Sequence, residues 1–382
     1  MKFLVITFAP YIVKPDGIYS YGPYVKEMDI WFKNVEEIGL CSPQWAPERD
    51  LLTSKYQQQH TFKLFLTKEF SISTFKETLK TLWHMPHMVV QLFRAMRWAD
   101  HIHFRCPTNI GVIALLVQVF FPKKMKTAKY AGNWDWRSKQ PWSYRFQQRI
   151  LRNTFFTKNM TALVYGAWPD RNKNILPFYT ASYTEAEKIE TPTRLLGGEI
   201  RLVFAGFFMP SKAPLTSVKA CVQLNELGYN CHLDMFGDGQ EKAVCEVYVA
   251  EKKMAGKVHF HGNRPLAEVK AAFQKSHFTV FVSKSEGWPK VVAESMFWGC
   301  VPVTTAVSCV PEMVGNGSRG KLVTDNVDEI VMAVKYYLDH PDEYNLASAE
   351  GMVWSRQFTL ERFENDIKTI LDGTHPGVAN SR

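Results

Sequence analysis

Between residues 201 and 304, short apolar runs alternate with stretches of helical periodicity, and this rhythm restricts the fold more than anything else in the chain. Strands are expected at 201–205, 231–236, 258–261, 278–282 and 301–304, with helices at 215–227, 241–254, 266–274 and 289–298 between them. A continuous apolar run fits a strand buried on both faces, and strands separated by helices run parallel, so the segment predicts a doubly wound α/β domain. The first half repeats the scheme less regularly, with strands at 2–9, 35–41, 101–104 and 127–131. Its first loop holds Pro15, Asp16, Gly17 and Gly22, and a helix carrying Met28, Trp31 and Phe32 follows from Pro23. Thr74 and Glu77 make a capping box for a helix reaching Trp83, and Pro86 is expected to open another. Polar, Thr-rich sequence at 181–198 reads as a linker. The expectation is two Rossmann-like domains, 1–190 and 199–355, facing each other across a cleft.

Charge separates the halves. Residues 1–190 hold 26 Lys and Arg against 15 Asp and Glu, whereas the rest hold 20 against 22. The basic half favours an anionic partner or membrane surface over a neutral one. No recognised nucleic-acid motif accompanies the charge, so nucleic acid is not expected as a partner. Seven scattered cysteines without a CxxC pair read as reduced thiols, and the short apolar N-terminus reads as a strand rather than a signal peptide. A cytoplasmic protein, on the inner face of the membrane if it is peripheral, is the resulting expectation.

The strongest local signal is 283–303, SKSEGWPKVVAESMFWGCVPV. A buried strand ends, Glu286 and Gly287 turn the chain, and Pro289 suits the first helical position. The N–H groups of Trp288, Lys290 and Val291 would then form an anion site. Glu286 before the helix and Glu294 within it can reach different parts of one extended ligand, and a carboxylate can accept both hydrogen bonds of a diol. Read alone, the pair favours a capped, solvated helix start.

The surrounding sequence adds to this. Ser283, Glu286, Gly287, Pro289, Glu294, Gly299, Pro302 and Val303, together with Phe236–Gly239, Gly262, Val310-Pro-Glu312 and Gly320–Val323, resemble the donor domain of the retaining GT-B glycosyltransferases of family four. The resemblance runs from Arg201 to about Arg356, and it implies that a helix at 356–372 returns to the first domain. It implies that Glu286 holds hydroxyls of the transferred sugar, that Glu294 binds the ribose diol and that Lys212 neutralises the diphosphate. Gly206, Phe207, Gly237, Asp238, Gly239, Gly262, Asn263 and Arg264 would frame the rest of the donor, most often a UDP-sugar. The acceptor would be a glycan or lipid-linked intermediate at the N-terminal domain, near Gly17, Tyr21, Gly22, His103, Arg105, Asn133 and Asp135. Two positions depart from the pattern. Phe207 stands where an arginine would share the diphosphate charge, with Arg105 or Arg264 as possible substitutes, and Ala213 stands where glycine would follow the lysine.

No cofactor is implied, and no metal is expected, since the sequence has no Asp-x-Asp triplet and His101/His103 and His259/His261 lack nearby acidic or thiol ligands. Over 141–158, Trp142, Phe146 and Ile150 form one helical row and Arg145, Arg149 and Arg152 a neighbouring one, which points to a membrane-facing helix, or else one packed on its own core. Sequence alone thus favours a retaining, metal-independent glycosyltransferase of polysaccharide biosynthesis. Its rival is a non-catalytic GT-B protein that binds a glycan or a partner.

Overall fold

The computed structural model describes residues 1–46, 53–57, 61–67, 75–169 and 172–376. The chain divides into two compact units, the first comprising Met1–Phe178 and the segment from Glu364, the second Tyr179–Phe363.

In unit 1 the elements are β1 (Lys2–Ile6), β2 (Ile12–Lys14), β3 (Gly17–Tyr21), α1 (Gly22–Phe32), β4 (Glu37–Pro43), β5 (Thr53–Lys55), β6 (Thr61–Thr67), α2 (Phe75–Trp98), β7 (His101–Cys106), α3 (Asn109–Val117), β8 (Met125–Tyr130), α4 (Trp142–Arg152), β9 (Met160–Tyr165) and β10 (Ile175–Phe178). Seven strands form a parallel sheet in the order β10-β9-β8-β7-β1-β4-β6. Successive β1 residues point to opposite faces. Phe3 stacks on Trp31 of α1 at 5.9 Å between ring centroids, while Leu4 and Ile6 join a cluster with Met88, Leu92, Ile110 and Leu151.

Two local expectations change. The glycine loop is a hairpin, β2 pairing with β3 and β3 with β5, and Gly17 at φ +150° lies where a Cβ would meet Lys55 Cε at 2.6 Å. Pro86 does not open a helix but lies inside α2. A proline interrupts the helical ladder locally, yet Met88, Leu92, Ala95 and Met96 beyond it are fully buried and hold the helix to the sheet. Thr74, the cap of the expected box, lies outside the described residues.

Unit 2 contains β11 (Glu199–Ala205), α5 (Pro214–Glu226), β12 (Asn230–Phe236), α6 (Lys242–Glu251), β13 (Val258–Gly262), α7 (Leu266–Lys275), β14 (Phe278–Phe281), α8 (Lys290–Phe297), β15 (Val301–Thr305), α9 (Val310–Met313), β16 (Lys321–Val323), α10 (Val327–Asp339), α11 (Pro341–Ser355) and α12 (Leu360–Asp372), the last continuing into unit 1. Its six strands are parallel in the order β13-β12-β11-β14-β15-β16. Residues 181–198 group with this unit. The Arg194 guanidinium donates to the carbonyls of Phe273, Gln274 and Trp298, a tie invisible to composition. Within α12, Glu364 pairs with Lys33 of unit 1 at 2.7 Å. Among the described residues no helix is long and apolar enough to cross a membrane.

Candidate functional site

In unit 2 the strand order reverses between neighbours β11 and β14. The loops leaving their carboxyl ends diverge, and such a switch point is where parallel α/β sheets open a crevice for ligands. Backbone bonds stitch the loops around it. Gly206 N donates to Phe236 O, Phe208 N to Asp238 O, Gly237 N to Gly262 O and Lys284 N to Ser211 O, all at 2.8–3.0 Å. This closeness demands glycine. Gly237 has φ +124°, and a Cβ there would stand 1.9 Å from Gly206 O; at Gly239 a Cβ would stand 2.6 Å from Phe208 O. Ala213, by contrast, accepts the left-handed conformation at φ 45° as the residue before α5. Glycine would adopt it without the cost of about 1 kcal/mol or more that a Cβ imposes.

Within this crevice the Lys212 ammonium donates to Glu286, both side chains being largely buried. Lys212 also lies 5.4 Å above the Phe281 ring. Gly287 O accepts from Ser308 Oγ at 2.9 Å and Cys309 Sγ at 3.2 Å, fixing the turn. Pro289 caps α8, which begins one residue later than expected, at Lys290. The first amides of α8, including those of Lys290 and Val291, lie outside the helical ladder and are open to an anion. Trp288 stacks on Trp354 at 6.0 Å.

Glu294 lies one turn into α8. It lines a narrow pocket with Ser182, Tyr183, Trp288, Lys290 and Phe358. Ser182 Oγ donates to its carboxylate. Burial raises the Glu294 pKa above the ordinary carboxylate range, opposed by the Ser182 hydrogen bond and the charge of Lys290. Ser182 and Tyr183 carried no sequence signal, because Ser182 lies 112 residues from its partner in the chain.

The remaining residues expected to frame a donor are more open. Phe207 is 56% exposed. Asp238 accepts from Gly239 N at 2.8 Å and lies 3.6 Å from Lys242. Asn263 is exposed, and Arg264 donates to His261 O and lies 3.7 Å from Glu268.

Several unit 1 expectations change. His103 is fully buried, bonds Thr127 Oγ1 at 2.8 Å and packs 4.4 Å from Trp31, so it is a core residue with no face for an acceptor. His101 shares the same threonine at 2.9 Å. Burial lowers both imidazole pKa values, that of His101 to about 3. Arg105 is not a spare cation, since it donates to Glu27, which also receives Lys129 at 2.9 Å. Asn133 and Asp135 form successive turns, Asn133 Oδ1 accepting from Asp135 N and Asp135 Oδ1 from Arg137 N, each at 2.9 Å. Tyr21 ends β3 half-buried, and Gly22 opens α1. Sequence reasoning missed Glu27, 78 residues from Arg105.

Helix α4 buries a mostly polar face. Its buried face is Ser143, Gln147, Gln148 and Leu151, with Gln148 donating to Asn133 O and Gln147 accepting from Thr108 N. Trp142 is 67% exposed, Arg145 and Arg149 are exposed, and Phe146 and Ile150 are half-buried. Arg152 departs from its expected row, lying over the buried Trp134 ring at 4.3 Å. Among the described residues, no group of three or more His, Cys, Asp or Glu is placed to hold a metal ion.

With this geometry established, comparison with known proteins is informative. Residues 185–351 match the family model for glycosyl transferases group 1. That stretch is a glycosyl transferases group 1 domain. An uncharacterized glycosyltransferase of Methanocaldococcus jannaschii is 22% identical over 171 residues, covering 44% of this chain and 47% of that protein. The match thus spans about half the length of this curated relative. Anabaena HepE, solved in complex with UDP, aligns over 97% of this chain and all of its own at TM-score 0.71 and 14% identity. Sucrose-phosphate synthase of Thermosynechococcus elongatus aligns over 97% and 98% at TM-score 0.66 and 14% identity. At such identities the likeness establishes the fold, which is GT-B, with two Rossmann-like domains.

Proposed function

We propose that the chain is a glycosyltransferase. In this reading unit 2 binds a nucleotide-sugar, most simply a UDP-sugar, and the sugar passes with retention to a glycan or lipid-linked acceptor at unit 1. The observation that carries the proposal is the joining of Lys212, Glu286 and the start of α8 at the switch point of a group 1 domain. Support for the donor base comes from HepE, solved with UDP and with UDP-glucose. The sugar–phosphate bond breaks with its electron pair leaving on the diphosphate. Lys212 and the α8 amides hold that charge in a site of low dielectric, and Glu286 orients the sugar hydroxyls. A metal ion is unnecessary if these groups carry the charge.

The outward Trp142, with Arg145 and Arg149 beside it, supports peripheral contact with an anionic membrane on the cytoplasmic side. The test of function is release of nucleoside diphosphate from a panel of UDP-, GDP-, ADP- and dTDP-sugars. Release is expected with at least one donor, and it should persist in EDTA. Lys212→Ala should slow it by roughly a hundredfold or more, as loss of a pre-organised charge contact does. A native protein that neither binds nor hydrolyses any member of the panel refutes the proposal. Complete loss in EDTA, restored by Mn²⁺ or Mg²⁺, refutes the metal-free mechanism.

A further inference from the structure

The two phosphates of a nucleotide-sugar each carry a negative charge, and Lys212 brings one positive charge that Glu286 already shares. Neighbouring cations lie in exposed surface pairs. Lys284 pairs with Asp325 at 3.2 Å, Arg264 lies against Glu268, and the exposed Phe207 offers no charge. Lys290 differs. It is half-buried at the first position of α8, and among the described residues its ammonium makes no hydrogen bond or ion pair. Its charge acts on the Glu294 carboxylate without a direct ion pair, which leaves the three ammonium donors open to a ligand.

Its direction is also fixed. Lys290, Ala293, Glu294 and Phe297 follow helical spacing on one face, and all four line the pocket. The buried Tyr183 hydroxyl, which also has no hydrogen-bond partner, lies among the same lining residues. Four residues along a helix separate Lys290 from Glu294 by about 6 Å of rise, a span suited to a ribose diol at one end and its 5′ phosphate at the other. Lys290 lies on the side of Glu294 that leads toward Glu286 and Lys212.

We propose that Lys290 is the second cation of the donor site. Its ammonium binds the phosphate attached to the ribose, while Lys212 serves the phosphate attached to the sugar. This assignment rests on the donor reading above and adds a division of labour to it. The Lys290 contact exists throughout the reaction and governs affinity, whereas the Lys212 contact strengthens as the bond breaks and governs rate.

The experiment is calorimetric titration of the native protein with UDP, GDP, ADP and dTDP, then of variants with the best diphosphate and its monophosphate. Lys290→Met should weaken both nucleotides about tenfold, the loss of one charge-assisted contact. Lys212→Met should weaken the diphosphate and spare the monophosphate. Lys290→Arg should bind within about threefold of native, since a guanidinium also pairs with phosphate, and melting temperatures identify any variant that has lost its fold. Unchanged affinities in Lys290→Met overturn the assignment and leave the donor reading intact. Loss of affinity that Lys290→Arg does not restore also overturns it, because the role is then one of packing. A native protein that binds none of the four diphosphates overturns both.

Discussion

Replacing Gly237 by alanine tests whether the crevice in unit 2 depends on two backbones meeting where no side chain fits. The added Cβ would stand 1.9 Å from Gly206 O. Carbon and oxygen approach to only about 3.3 Å, so the loops after β11 and β12 must part by more than an ångström. The backbone at φ +124° adds strain of about 1–3 kcal/mol for a non-glycine residue. Separation also weakens the bonds from Gly206 N to Phe236 O and from Phe208 N to Asp238 O, each contributing about 1 kcal/mol. The total is about 4 kcal/mol. For a unit of this size that corresponds to a fall of about 10 °C in melting temperature, measurable by scanning calorimetry. Gly256→Ala is the control, because nothing lies within 4 Å of its added Cβ. It should shift melting by less than about 2 °C, as uncrowded surface substitutions do. If Gly237→Ala melts as the native protein does, or if both variants fall equally, the close-approach argument is wrong.

Other perturbations separate the remaining contributions. His101 and His103 are held neutral in the fold, with pKa values lowered below the ordinary 6.5, so protons bind the unfolded chain first and stability is lost as pH falls below that value. Between pH 6.5 and 5 His101 should cost unit 1 about 2 kcal/mol, and His103 adds to the loss in the same direction. Asp29, raised to about 6 by burial, works in the opposite sense by losing stability as pH rises. His101→Gln should flatten the acid limb of a melting-temperature profile, and an unchanged limb would contradict the assignment. Glu294 is raised by burial, so its contribution fades as pH rises above the unfolded carboxylate range. Glu294→Gln should therefore gain stability relative to native between acid and neutral pH, and a constant difference would count against this. Arg145→Glu with Arg149→Glu should weaken sedimentation with anionic liposomes by at least tenfold, at about 1 kcal/mol per basic residue before charge reversal is added. Arg152 is left in place because it covers Trp134. Equal sedimentation of this variant and the native protein would assign the aromatic ridge to another partner.

The alternation in the second half was legible because parallel strands buried on both faces leave continuous apolar runs, and those strands fall within two residues of the sequence reading. The segment from Glu286 to Glu294 was legible for a related reason, since a strand end, a turn and a helix start each carry their own residue chemistry. The long α2 was not legible, because local punctuation at Pro86 is outweighed by core contacts beyond it. Nor were the partners that define side-chain environment. Glu27 joins Lys129 from 102 residues away, and Arg194 reaches carbonyls 79 or more residues distant. The row of Trp142, Phe146 and Ile150 on α4 was legible as a pattern, but only the structure identifies Gln147 and Gln148 as the helix's inner face.

The hydrogen bond from Ser182 to Glu294 bears on how finely the pocket can discriminate. Strong rejection of a ligand that lacks a hydroxyl arises when the protein group meant for that hydroxyl is stranded without water or partner. Glu294 cannot be stranded in this way while Ser182 remains within reach. If a nucleotide's ribose displaces the serine, a deoxyribose would leave the serine where it is, and the carboxylate would stay satisfied. In that case the serine would act as a placeholder that narrows the preference for ribose over deoxyribose, and its removal would widen that preference.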